Sequence, residues 1–171
     1  MALISILTYP DELLKQVSSP VESVDDSLLE FISDLEETMR NGPGGVGIAA
    51  PQVGYLLRVA IVDVSGKNVS GKPKIQQHGR LVLINPEITK WEGMKVGREG
   101  CMSVPDFTGN VIRAEQIKLN YLDEQGEEQS IETGGYEARA IQHEMDHLDG
   151  MLFLDRLVSR RNDLFKRKVY K

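Results

Sequence analysis

The string His143-Glu144-Met145-Asp146-His147 constrains this chain more than any other feature. Residues four apart lie one above the other on a helix, so the two imidazoles converge on one divalent ion if this segment is helical. The context fits: Ala138, Ile141, Met145 and Leu148 recur at helical spacing, and Gly150 offers a left-handed stop. Glu144 then stands beside the ion, where a carboxylate can take the proton of an activated water. The plainer reading is two surface histidines on an amphipathic helix, and the glutamate between them counts against it.

Two imidazoles do not complete a site. A third histidine three residues after Gly150 would, but that position is Phe153, and residues 148 to 171 contain no glutamate. Of the aspartates there, Asp149 is too close to reach back around its own helix and Asp163 sits in a basic tail, which leaves Asp155. His78 falls in a Gly/Lys/Gln-rich stretch that reads as a loop. Cys101 is the best remaining donor, because a thiolate with two imidazoles suits zinc or ferrous iron and leaves a fourth position for water. A lone cysteine is ordinarily inert core. Here it sits in Glu99-Gly100-Cys101-Met102-Ser103-Val104-Pro105, where the glycine permits close backbone approach and the proline ends regular pairing. Residues 44–54 form another unusual segment, small and apolar, with Gln52 its single hydrogen-bonding side chain. No Gly-Lys-Ser/Thr follows it, which argues against a phosphate loop.

Residues 47–54, 99–103 and 142–147 resemble the three signature motifs of peptide deformylase, in the family's order. The likeness extends from Ile6-Leu7-Thr8-Tyr9-Pro10-Asp11 to Gly150-Met151-Leu152-Phe153 and Asp155-Arg156-Leu157. The resemblance implies that Cys101, His143 and His147 hold one divalent metal, Fe(II) foremost, with Zn, Ni or Co as others. It implies Glu144 as general acid/base, and the Gln52 amide and Met102 backbone N–H as donors to the oxyanion formed when water attacks a formyl carbonyl. The substrate would be N-formylmethionine at the start of a newly made polypeptide, and formate the product. Main-chain groups of Val46 and Gly47 on one side and Gly100 on the other would pair with an extended peptide. Gln142 would brace the site. Tyr136, Glu137 and Arg139 are more polar than a methionine pocket needs, and helical geometry is expected to turn Glu137 and Arg139 outward. Thr108 stands where many family members carry a basic residue that helps position the peptide, with Arg113 a nearby substitute.

A chain of 171 residues, 40% hydrophobic, can bury one good core, so a single domain over 1–171 is expected. Asp25 or Asp26 can cap a helix whose face is Leu28, Leu29, Ile32, Leu35 and Met39, ending before Gly42. Strands are expected over 58–64, 81–88, 95 to the second motif, 117–123 and 129–133, with a hairpin at Glu124-Gln125-Gly126-Glu127 and an exposed, flexible loop over 65–80. The class is α+β: antiparallel sheets packed around a central metal-binding helix, with a C-terminal helix. The terminal helix is read from Leu154, Leu157, Val158, Leu164 and Phe165. Residues 155 to 171 carry a net charge of +5 against −11 for the rest, so contact of this basic helix with the ribosome is a further expectation. No membrane or DNA partner is expected, and residues 1–7 read as a strand or anchoring segment. A single cysteine permits no intrachain disulfide, and a thiolate ligand favours a reducing compartment, read as the cytoplasm. Two rival functions are a metalloendopeptidase, which would need to bind both sides of an internal bond, and a metal- or peptide-binding module that kept the fold and lost activity.

Overall fold

The computed structural model describes residues 2–67 and 74–167. Its first helix, α1 (Asp26–Asn41), starts at Asp25, whose carboxylate accepts the Leu28 N–H at 2.8 Å. Leu28, Ile32, Leu35 and Met39 share its buried face. Six antiparallel strands follow: β1 (Gly47–Ala49), β2 (Val59–Val62), β3 (Leu81–Cys101), β4 (Val104–Leu122), β5 (Glu128–Gly134) and β6 (Leu164–Lys166). They lie in the order β1-β2-β3-β4-β5, with β6 paired to β4. The second helix, α2 (Gly135–Leu148), packs against β1, β2, β4 and β5.

Strand alternation explains how the sheet serves both helices. Val59 and Ile61 of β2, with Val82 and Ile84 of β3, pack in the cluster that holds the apolar face of α1. Their neighbours Val62, Leu81 and Leu83 join Ala138, Ala140 and Ile141 of α2. Every residue of β2 is buried because both of its faces are covered. The metal helix of the sequence reading is thus a core element. No helix among the described residues is long and apolar enough to cross a membrane.

Two expectations change, and a third is only partly described. The two strands foreseen over 81–88 and from 95 are one, β3, which runs through Trp91 and absorbs irregularities between Ile84 and Glu87 and between Ile88 and Lys90. Of the loop expected over 65–80, Ser65–Lys67 is a 3₁₀ turn and residues 68–73 lie outside the described residues. The terminal helix does not form among the described residues: Phe153–Arg156 is one 3₁₀ turn and Leu164–Lys166 is a strand. The reason lies in β4, whose edge is taken by β5 only from Gln116 to Leu122. Backbone groups at 107–111 still need partners, and β6 pairs with Phe107–Gly109, while Val158 N–H reaches Asn110 O at 3.1 Å. The N-terminal segment anchors as expected, without becoming a strand: Ile4 N–H donates to Thr38 Oγ1 at 2.9 Å, Leu7 N–H to Gln52 O and Tyr9 N–H to Ser103 O, both at 2.7 Å.

Gly150 ends the turn after α2 at φ 74°, and a Cβ there would stand 2.5 Å from Lys15 O. Gly150→Ala combines left-handed strain with a backbone clash, so it should lower stability by about 2 kcal/mol in urea denaturation. An unchanged midpoint would mean that the turn relaxes freely.

Candidate metal centre and active site

Residues 47–54, 99–103 and 142–147 meet in space. His143 and His147 lie one turn apart on α2, their ring centroids 5.2 Å from each other at 72°. Cys101, the last residue of β3, brings Sγ to 3.4 Å from His147 Nε2. One donor atom from each of these three buried residues lies within 4.8 Å of the others. A thiolate and two imidazoles at this separation form a donor set for a borderline divalent ion. Glu144 Oε1, also buried, stands 4.0 Å from His147 Nε2 and has no hydrogen-bond partner among the described residues. A carboxylate oxygen so placed suits a proton acceptor beside an ion, and the residues fit a metal centre. Phe153, where a third imidazole would have stood, stacks against His143 with centroids 6.4 Å apart.

Behind the imidazoles lies a set of buried charges. His143 Nδ1 is 2.8 Å from Glu99 Oε1, which leaves Nε2 for an ion and fixes the ring. Glu99 also accepts from Arg113 Nε and Nη2, both at 2.9 Å, and from Arg139 Nη1 at 2.7 Å. Burial alone would raise its carboxyl, but the hydrogen bonds from Arg113 and His143 hold it well below the usual carboxylate range. Arg113 Nη1 meets Asp146 Oδ2 at 2.5 Å, and Arg156 closes on Asp146 through Nε at 2.6 Å and Nη2 at 3.0 Å. Burial pushes Glu144 the other way, up to about 7.

Gln52 joins the other two segments. Its Oε1 accepts the Ala49 N–H at 2.9 Å, while Nε2 donates to Ser103 Oγ at 3.0 Å and lies 3.6 Å from Cys101 Sγ. Gly47 must lack a side chain, because a Cβ there would meet Glu144 Oε2 at 2.5 Å. A cavity of about 200 Å³ opens onto these groups, lined by Val46, Gly47, Gln52, Gly100, Cys101, Met102, His143 and Glu144, and by Arg98, Tyr136, Arg139 and Arg167. The Gln142 amide clips α2 to β4, donating to Ala114 O and accepting the Ala114 N–H, both at 3.0 Å.

Some side chains are not where the sequence reading put them. Glu137 and Arg139 turn inward. Glu137 is fully buried and takes the His78 backbone N–H at 2.6 Å and Thr133 Oγ1 at 2.7 Å, with His78 Nδ1 at 2.6 Å. His78 therefore fastens its loop to α2 and stands apart from the metal cluster. Arg139 spans Glu99 and Lys95 O, the latter at 2.7 Å. Arg113 does not stand in for the basic residue at 108: it is 4% exposed and committed to Glu99 and Asp146. Glu99 and Asp146 had no assigned role. Strand alternation could have found Glu99, since it faces the same side of β3 as Cys101, where an ionised carboxylate needs partners.

The polypeptide deformylase family model matches residues 3–163. The chain belongs to the polypeptide deformylase family. It is similar to the peptide deformylase of Thermodesulfovibrio yellowstonii, 43% identical over 168 residues that cover 98% of this chain and 97% of that protein. It is also similar to peptide deformylase 1 of Clostridium acetobutylicum, 47% identical over 157 residues covering 92% and 96% of the two chains. Among solved structures, the peptide deformylase of Legionella pneumophila superposes with a TM-score of 0.82 at 40% identity, covering 94% of this chain and 90% of that one. The Ehrlichia chaffeensis deformylase in complex with actinonin gives 0.84 at 36% identity, covering 94% and 92%. The deformylases are metalloenzymes, and Cys101, His143 and His147 form a cluster in this chain whose donor atoms fit a metal ion.

Proposed function

We propose that this protein removes the N-formyl group from N-formylmethionine at the start of newly made polypeptides, releasing formate and a free amine. The observation that carries the reading is the meeting, on one cavity of a deformylase chain, of Cys101 and His143 with Glu144 and Gln52, His147 completing the donor cluster with the first two. A divalent ion held by the cysteine and the two histidines supplies Lewis acidity and an acidified water; we assign Fe(II), with Zn, Ni or Co able to replace it at the same donors. Glu144 takes a proton from the attacking water at Oε1 and delivers it to the departing amine nitrogen. The Gln52 amide and the Met102 N–H donate to the oxygen on which negative charge develops, each worth about 3 kcal/mol of barrier. The main chains of Val46, Gly47 and Gly100 pair with the extended peptide, and the absence of a side chain at Gly47 leaves room for Glu144 beside it.

The thiolate ligand must stay reduced, which supports work in the cytoplasm. Contact with nascent chains follows from the substrate; contact with the ribosome rests on the net charge of residues 155–171 alone, since the described part of that segment holds a 3₁₀ turn and β6 in place of a helix. The test is formate release from formyl-Met-Ala-Ser by anaerobically purified, iron-loaded protein, with acetyl-Met-Ala-Ser alongside. Formate from the first peptide and no cleavage of the second is the expected result. Cleavage of acetylated or internal bonds would instead make it an endopeptidase, and binding without formate a receptor.

A further inference from the structure

We propose that Arg98, with Arg167 beside it, forms a subsite on the cavity that recognises a carboxylate on the peptide beyond the formylmethionine. This deepens the proposed function and rests on it. Arg98 is exposed on β3, two residues before Gly100 and therefore on the same face of the strand. Its guanidinium lies 3.8 Å over the ring of Phe165, donates from Nε to Asn110 Oδ1 at 3.1 Å and from Nη1 to Thr108 Oγ1 at 3.3 Å. These partners come from β4 and β6, and all are neutral. They engage two of the five N–H donors of a guanidinium. In a chain with 26 acidic and 20 basic side chains, no carboxylate among the described residues pairs with Arg98. Arg139, on the same cavity, is by contrast neutralised by Glu99.

The strand formed in place of the expected helix builds this arrangement. Phe165 of β6 supports Arg98, and the guanidinium of Arg167, just past β6, fills the space that a Cβ on Gly100 would occupy. Two cationic groups thus flank the glycine assigned to pair with the peptide. A stacked, hydrogen-bonded arginine loses little freedom on binding and presents a planar fork that suits a carboxylate. Thr108, which cannot carry charge, serves instead as one of the groups that aim Arg98.

The carboxylate can belong to an acidic side chain or to the free C-terminus of a short peptide. Initial rates on iron-loaded protein separate the two, using formyl-Met-Ala-Ser amide, formyl-Met-Asp-Ser amide, formyl-Met-Ala-Asp amide and formyl-Met-Ala-Ser with a free carboxylate. At low salt the charged peptides should show kcat/KM about five-fold above the neutral amide, carried by KM. The advantage should shrink as salt rises from about 20 mM to about 0.5 M. In Arg98→Met the ratio of charged to neutral should fall towards one, and Arg98→Lys should restore part of it. A gain confined to the free acid assigns the subsite to the terminal carboxylate, and one confined to the aspartyl peptides assigns it to the side chain. Equal values for charged and neutral peptides at low salt overturn the subsite and leave the deformylase reading standing, as does a gap that survives Arg98→Met. If that variant fails to fold, a wild-type gap that salt does not move overturns it. No formate from any peptide overturns both.

Discussion

Glu144→Ala should release formate from formyl-Met-Ala-Ser about 10³-fold more slowly than the parent, with metal content unchanged. The size follows from the double use proposed for this one carboxylate, taking a proton from water and then supplying one to the amine. Glu144→Gln should fail equally, since an amide of the same shape accepts no proton at neutral pH. Metal retention is expected because Glu144 is not among Cys101, His143 and His147. The folded state should not suffer either: Glu144 is 5% exposed and its Oε1 has no hydrogen-bond partner among the described residues, so its removal relieves an unpaired buried group. Formate assay, elemental analysis and thermal melting on one preparation check all three. Retention of more than about a tenth of the activity would remove Glu144 from its proton-transfer role, and loss of the metal would show that it acts through the ion's ligands.

The parts of this site that were legible in the sequence are those whose chemistry follows from local spacing. Histidines four apart on an apolar helical pattern can face only one way, so the metal helix could be drawn from residues 138–150. Cys101 followed by elimination, because the downstream segment lacked a histidine or glutamate in reach. The helix cap at Asp25 and the stop at Gly150 are equally local. What could not be read depends on strands meeting at a distance. Arg113 looks like any exposed strand arginine until β3 and β4 pair, placing it between Glu99 and Asp146. Glu137 and Arg139 sit on a helix that turned out to be covered on most sides, so polarity gave the wrong direction. Leu154, Leu157, Leu164 and Phe165 have helical spacing by coincidence. The open edge of β4 outweighs that pattern, because unpaired backbone groups there cost more than a short amphipathic helix gains.

Arg113→Met should cost about 3 kcal/mol of stability, a melting temperature roughly 10 °C lower for a chain of this length. The loss comes less from the missing attraction than from what is stranded: Glu99 and Asp146, 7% and 6% exposed, would each lose a buried cationic partner. The low end of the range for broken buried pairs applies, because Glu99 keeps Arg139 and His143 while Asp146 keeps Arg156. The sign with pH is fixed by Glu99. Its carboxyl is held low in the folded state, so its contribution is present above the ordinary carboxylate range and fades as pH falls through the depressed value. The deficit of Arg113→Met should therefore be fully visible at pH 7. Pairing the change with Glu99→Leu should leave the loss of stability about where it was, since the carboxylate it removes still has Arg139 and His143 as partners in the single variant. The double variant would lose the anchor of His143 Nδ1, however, and metal affinity should drop about 10- to 100-fold. Urea denaturation of metal-saturated protein measures the first effect and competitive chelation the second. A single Arg113→Met variant that melts within about 2 °C of the parent would mean that water reaches Glu99 and Asp146 when the guanidinium leaves, and that the network is not what holds the metal helix to the sheet.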